Sequence, residues 1–165
     1  MGDFFQTGTI ATLHDFGSRT TGELEKELKL FSAYRPMEII LPCLFSELEG
    51  NALPNIVDEI ACTDYLNHVV IGLDRADRDQ YEYAYEFFTR LKQPFSMLWN
   101  DGPRLKAIQD ELQEKGLAPT EAGKGRNVWY CIGMVNARGK ADAVGIHDCD
   151  VLTYDRRLLA RLLYP

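Results

Sequence analysis

Asp148-Cys149-Asp150 puts two carboxylates one residue apart, directly after the largely apolar stretch from Asp142 to His147. Acids placed where a buried strand leaves a sheet can hold a divalent cation against a diphosphate. Mg²⁺ and Mn²⁺ are hard ions that take oxygen ligands and share them with phosphate. Alone the pair is a weak signal, and its weight comes from its position relative to other motifs. Gly123-Lys124-Gly125-Arg126-Asn127 precedes it at the expected start of a helix. Glycines there admit close backbone approach, and helix-end N–H groups with Lys124 and Arg126 supply positive potential for phosphate. The spacing of a Walker A loop is absent, and a solvated turn is the competing reading.

Glu47 and Glu49 follow the apolar run that ends at Pro42. A carboxylate at such a turn can accept both hydroxyls of a ribose; the competing reading is an acid favoured by a helix dipole. Asp74, Arg75 and Asp77 follow the next apolar run, with Asp77 reading first as a helix cap and second as a base or ribose contact. Asn100-Asp101-Gly102 reads as a turn. Side-chain alternation turns His147 away from Asp148, which makes it a core or sheet-edge histidine before a metal ligand. No G-x-S-x-G elbow or zinc-ligand spacing is present, which removes those hydrolase and structural-zinc readings.

These groups need a scaffold, and the hydrophobic pattern supplies one. A Gly-, Thr- and Phe-rich leader without periodicity fills the first twenty residues. Helices are expected over 21–31, 52–61, 78–91, 103–115 and 125–136, with another starting at Arg156. Tyr81, Tyr85 and Phe88 are expected to face inward. Strands are expected over 37–42, 68–73, 94–99 and 141–147. Pro42 and Pro36 read as breakers, whereas Pro54 is tolerable in a first helical turn. Strand–helix alternation with short connections predicts an α/β fold, a mainly parallel Rossmann-like sheet with helices on both faces. Ligands of such sheets bind outside the carboxyl ends of the strands, where 42–49, 72–77, 100–102 and 147–150 converge. The organisation reads as a leader and helix over 1–35 and one α/β domain over 36–165.

With 165 residues, the chain is long enough to bury a core without staples. A net charge of −7 argues against non-specific nucleic-acid binding. No apolar run reaches membrane-span length, and the start lacks the pattern of a signal peptide. Cys43, Cys62, Cys131 and Cys149 have no C-x-x-C spacing and read as buried free thiols in a reducing cytoplasm. The apolar helix near the C-terminus, Leu158 to Pro165, has nothing after it to cover it. It reads as the end of a truncated or cleaved polypeptide that lacks part of its active site.

Leu41-Pro42-Cys43-Leu44 with Glu47, Gly72-Leu73-Asp74, Gly123-Lys124-Gly125 and Asp148-Cys149-Asp150 occur in that order. From Met37 onward the chain resembles the GT-A glycosyltransferases, in particular the glucosyl-3-phosphoglycerate synthases and their mannosyl-transferring relatives. The resemblance implies that the Pro42–Leu44 backbone (Pro42, Cys43, Leu44) and Glu47 hold the base and ribose, with Asp74 at the nucleoside. It implies that Gly123, Lys124 and Gly125 approach the nucleotide or diphosphate. Asp150 then takes the direct metal contact, Mg²⁺ or Mn²⁺, and Asp148 the ribose or sugar hydroxyls, also near the metal. The implied donor is UDP-glucose or GDP-glucose, the acceptor is 3-phosphoglycerate or a similar small acid, and transfer retains configuration; a homodimer is compatible with it. The chain departs from its relatives at Phe45-Ser46-Glu47, which stands where Asn-Glu-Glu is common.

Two rivals belong to other classes. One is a donor-binding fragment without turnover, which would show donor binding and no transfer. The other reads Asp148-x-Asp150-Val151 as the D-x-D of a haloacid-dehalogenase phosphatase, with Asp148 the nucleophile. That motif normally opens its domain, and here it lies near the end of the chain.

Overall fold

The computed structural model describes residues 19–164. The expected leader lies, up to residue 18, outside the described residues. The first helix, α1 (Thr21–Ser32), starts at a capping box in which Glu23 N–H donates to Thr20 Oγ1 and Thr20 N–H donates to the Glu23 carboxylate. Strand β1 (Met37–Leu44) leads through a 3-10 turn (Phe45–Glu49) into α2 (Ala52–Ala61). Then come β2 (Leu66–Asp74), α3 (Arg78–Phe88), β3 (Phe95–Trp99), α4 (Pro103–Glu114), α5 (Lys124–Arg138), β4 (Ala143–Ile146) and α6 (Arg156–Leu163). The four strands form one sheet in the order β3-β2-β1-β4, every pairing parallel.

β1 and β2 sit inside this order and are buried on both faces, which is why their sequences are nearly continuous apolar runs. One face carries Ile39, Leu41, Cys43, Val69, Ile71 and Leu73, packed against side chains from α1, α2, α3 and α6. On α2, Leu53, Ile56, Val57 and Ile60 are fully buried at helical spacing, each contributing about 1.5–3 kcal/mol by leaving water. The opposite face is smaller, with Ile40 and Val70 under Cys131 and Val135 of α5. The two-faced arrangement matches the expected α/β class.

Pro42 does not end β1. The Ile40 carbonyl accepts from His147 N–H, so the backbone two residues on also faces the β4 side. The β1–β4 ladder runs only from Met37↔Ala143 to Ile40↔Ile146. The N–H that proline lacks therefore has no ladder partner to lose, and β1 continues along β2 to Leu44↔Asp74.

Other departures are local. α3 stops at Phe88 rather than 91, with Thr89 at its C-cap. Phe88 is buried, Tyr81 is half-buried and stacked on Trp99 with ring centroids 5.0 Å apart, and Tyr85 is exposed, contrary to expectation. Cys62, at the C-cap of α2, is exposed while the other three thiols are buried. The terminal helix is covered on its inner side: Leu159 and Ala160 of α6 are buried, and the Tyr164 hydroxyl donates to Glu27 of α1 at 2.6 Å. No helix among the described residues is long and apolar enough to cross a membrane.

Candidate functional site

β1 and β2 deliver Pro42, Cys43, Leu44 and Asp74 to one end of the sheet, as the parallel register Pro42↔Gly72 to Leu44↔Asp74 requires. α5 returns over the same end and starts there. Its N-cap, Gly123, has φ 149°, a backbone region that side chains rarely adopt, so glycine lets the chain turn sharply into the helix. Behind it, α5 lies unusually close to β2. A methyl group on Gly72 would fall 1.8 Å from Asn127 Oδ1 and 2.6 Å from Cys131 Sγ. In the space left by that missing side chain, Asn127 Nδ2 donates to the Gly72 carbonyl at 2.8 Å.

The result is a cavity of about 250 Å³ lined by Pro42, Cys43, Leu44, Glu47, Asp74, Arg75, Gly123, Lys124, Asn127, Cys149 and Asp150. Four separated stretches of sequence meet there. Gly125 is exposed on the first turn of α5 and is not among the lining residues, and Asp148 stands outside the lining as well. Instead the exposed Asp148 carboxylate pairs with Lys124 Nζ, which joins the glycine-lysine turn to the paired acids. Cys149 between the acids is buried while Asp148 and Asp150 are both exposed, so the alternation turns the carboxylates outward and the thiol inward.

Glu47 closes one wall. Its carboxylate accepts the Leu44 N–H at 2.7 Å, which fixes the turn after β1. Burial, assisted by the negative charge of Asp150, holds the Glu47 carboxyl above the usual range, although the Leu44 bond opposes the shift. Asp74 is buried, and Arg126 Nη2 approaches its carboxylate at 3.9 Å, with both side chains largely out of water. The Cys43 thiol is pushed up by the neighbouring Cys149 thiol and by burial, which disfavours its use as a nucleophile. His147 is buried with Nδ1 2.8 Å from the Tyr154 hydroxyl, and burial lowers its pKa to about 4. It is a core histidine, as alternation predicts.

Sequence reasoning assigned no role to several positions. Arg75 has φ 57°, a left-handed conformation for a residue with a side chain, and it lines the cavity. The Asp101 carboxylate accepts Ala76 N–H at 3.0 Å, and Trp99 Nε1 donates to the Ala76 carbonyl at 2.8 Å. These bonds pin the loop after β2, so Asn100-Asp101-Gly102 does more than turn the chain. Asn127 was visible only as the last letter of a glycine-lysine motif. A glycine inside an apolar strand was the signal that something packs against it.

No protein-family model matches the chain. Over 165 residues, all of its length, it is 42% identical to the glucosyl-3-phosphoglycerate synthase of Persephonella marina, spanning 41% of that protein. Over 164 residues it is 37% identical to the glucosyl-3-phosphoglycerate synthase of Methanococcoides burtonii, spanning 40% of that protein. The chain thus covers about two fifths of the length of these relatives. Along its whole sequence, the chain is a relative of the glucosyl-3-phosphoglycerate synthases.

Proposed function

We propose that the cavity is the donor site of a metal-dependent, retaining glycosyltransferase. The enzyme would move glucose from UDP-glucose or GDP-glucose to 3-phosphoglycerate or a similar small acid. The observation that carries this reading is the gathering of Pro42, Leu44, Glu47, Asp74, Gly123, Lys124 and Asp150 around one cavity at the carboxyl ends of β1 and β2. The kinship with glucosyl-3-phosphoglycerate synthases supports it independently.

The donor set suits a hard divalent cation. Asp148 and Asp150 both present exposed carboxylates, and the charge of Asp150 already reaches Glu47. They would hold Mg²⁺ or Mn²⁺ jointly with the donor's phosphate oxygens, since these acids are not part of a three-ligand group among the described residues. When bound, such an ion acts as a Lewis acid on the departing diphosphate. Lys124, paired with Asp148 in the free chain, would turn to the diphosphate as the donor enters. Glu47 and Asp74 would accept hydroxyl and base protons of the nucleoside, and the Pro42–Leu44 backbone would pack against it.

The test is an incubation of the chain with donor, Mg²⁺ and 3-phosphoglycerate, with the product's anomeric configuration read by NMR. An α-linked product from the α-donor supports retaining transfer. Donor binding without product supports a donor-binding role without turnover, and phosphate bound covalently to Asp148 would overturn both in favour of phosphatase chemistry.

A further inference from the structure

The floor of the cavity contains a different set of ligands from its mouth. Cys43 at the end of β1, Cys149 after β4 and Glu47 in the turn between β1 and α2 converge so that one ligand atom from each lies within 4.8 Å of the others. Among the described residues this is the group of His, Cys, Asp and Glu side chains whose ligand atoms cluster so closely. All three also border the cavity, with Cys43 and Cys149 0% and 1% exposed beneath it.

We propose that Cys43, Cys149 and Glu47 form a binding site for a soft or borderline divalent cation, Zn²⁺ or Cd²⁺, separate from the exposed acids that suit Mg²⁺. Two sulfurs and one carboxylate oxygen match the ligand preference of such ions and not that of Mg²⁺. Around a tetrahedral ion with bonds of about 2.3 Å to sulfur, ligand atoms lie a little under about 4 Å apart, so closure needs only small side-chain movements. Burial excludes competing water from the sulfur side, and β1 and its turn fix two of the ligands. Binding replaces both thiol protons: the ion forms two metal–sulfur bonds, and two protons leave to solvent. Affinity therefore rises with pH. A water completes the coordination from the cavity side.

The site stands on the geometry of these three side chains. Its consequence for catalysis rests on the donor reading: an ion on the cavity floor draws away Glu47 and blocks the nucleoside end, so Zn²⁺ or Cd²⁺ and donor exclude each other.

Titration of the reduced chain with Cd²⁺ alone, followed by ultraviolet thiolate-to-cadmium charge-transfer absorption, tests the site. One equivalent saturates the band; Cys43→Ser and Cys149→Ser weaken binding at least about a hundredfold, while Cys62→Ser and Cys131→Ala keep it. X-ray absorption of the zinc-loaded, unmutated chain gives two sulfur and the remainder oxygen neighbours, a readout independent of how the variants fold. No charge-transfer band, or a zinc shell without sulfur, overturns the proposal. Adding UDP-glucose or GDP-glucose separates the two claims. Displacement of Cd²⁺ ties the ion to the donor cavity, whereas a band unchanged by saturating donor leaves the thiol site standing and counts against the donor reading.

Discussion

Replacing Gly72 by alanine tests how α5, and with it Lys124, is seated over the sheet. The added methyl would stand 1.8 Å from Asn127 Oδ1 and 2.6 Å from Cys131 Sγ. Both neighbours are buried on a helix held against β2, so α5 has to move. Overpacking of this kind costs about 1–3 kcal/mol. Separating the 2.8 Å bond from Asn127 to the Gly72 carbonyl leaves buried polar groups unpaired, for about 1–3 kcal/mol more. The sum, about 2–6 kcal/mol, is a large share of the about 5–15 kcal/mol that holds a typical domain folded. Urea denaturation followed by circular dichroism measures it. Asn127→Ala removes the nearest obstacle but orphans the same carbonyl, so it is destabilising alone. In the double variant the two costs overlap, and Gly72→Ala/Asn127→Ala should be less destabilised than the sum by about 1 kcal/mol or more. A Gly72→Ala cost below about 1 kcal/mol, or strict additivity in the double variant, would refute the close-approach argument.

Further expectations concern charge and exposure. Lys124→Met should weaken nucleotide-sugar binding by about 1.5–3 kcal/mol, roughly tenfold to a hundredfold in Kd, because a charge-assisted contact to diphosphate is lost; unchanged affinity in calorimetry would remove Lys124 from the site. His68 is buried with Nε2 2.9 Å from Ser96 Oγ, and burial lowers its pKa to about 4 from an ordinary value near 6.5. The folded state thus binds fewer protons than the unfolded one, so this contribution is complete above pH about 6.5 and drains away as pH falls toward about 4. Between pH 7 and 5, His68→Gln should lose less stability than the unsubstituted chain, by at most about 2 kcal/mol; parallel denaturant curves would contradict this. Ellman's reagent should modify Cys62 rapidly and the buried Cys43, Cys131 and Cys149 slowly, and a fast phase that persists in Cys62→Ser would show that the thiol burial is wrong.

The strands were readable because β1 and β2 are covered on both faces and so write continuous apolar runs. Their ends were less readable. Whether Pro42 breaks a strand depends on where β4 stops pairing, and no local pattern carries that information. Asp77 was legible as a cap because its side chain and Gln80 satisfy each other's N–H groups at short range. Tyr85 departs from expectation because helical spacing reports a face, while exposure depends on how far the neighbouring layer extends; Cys62 departs because apolar neighbours in sequence do not by themselves bury a side chain. In the site, the acids and the glycine-lysine turn were visible as residue types. The structural roles of Arg75, Asn127 and Asp101 were not, since a left-handed backbone, a missing methyl and a loop tie arise only when distant segments meet. The thiol pair escaped for the same reason: Cys43 in β1 and Cys149 in the turn after β4 meet in space but lie far apart in sequence.

On the proposed function, the cavity between β1, β2 and α5 takes a nucleotide-diphosphate sugar together with a hard cation at Asp150. Calorimetric titration with UDP-glucose and GDP-glucose, with and without Mn²⁺, on the unsubstituted chain and Asp150→Asn, decides this. The expected result is Mn²⁺-dependent binding of one donor that is lost in Asp150→Asn while the variant keeps its fold. Absence of binding by the folded chain to either donor, or binding indifferent to both Mn²⁺ and Asp150, would contradict it.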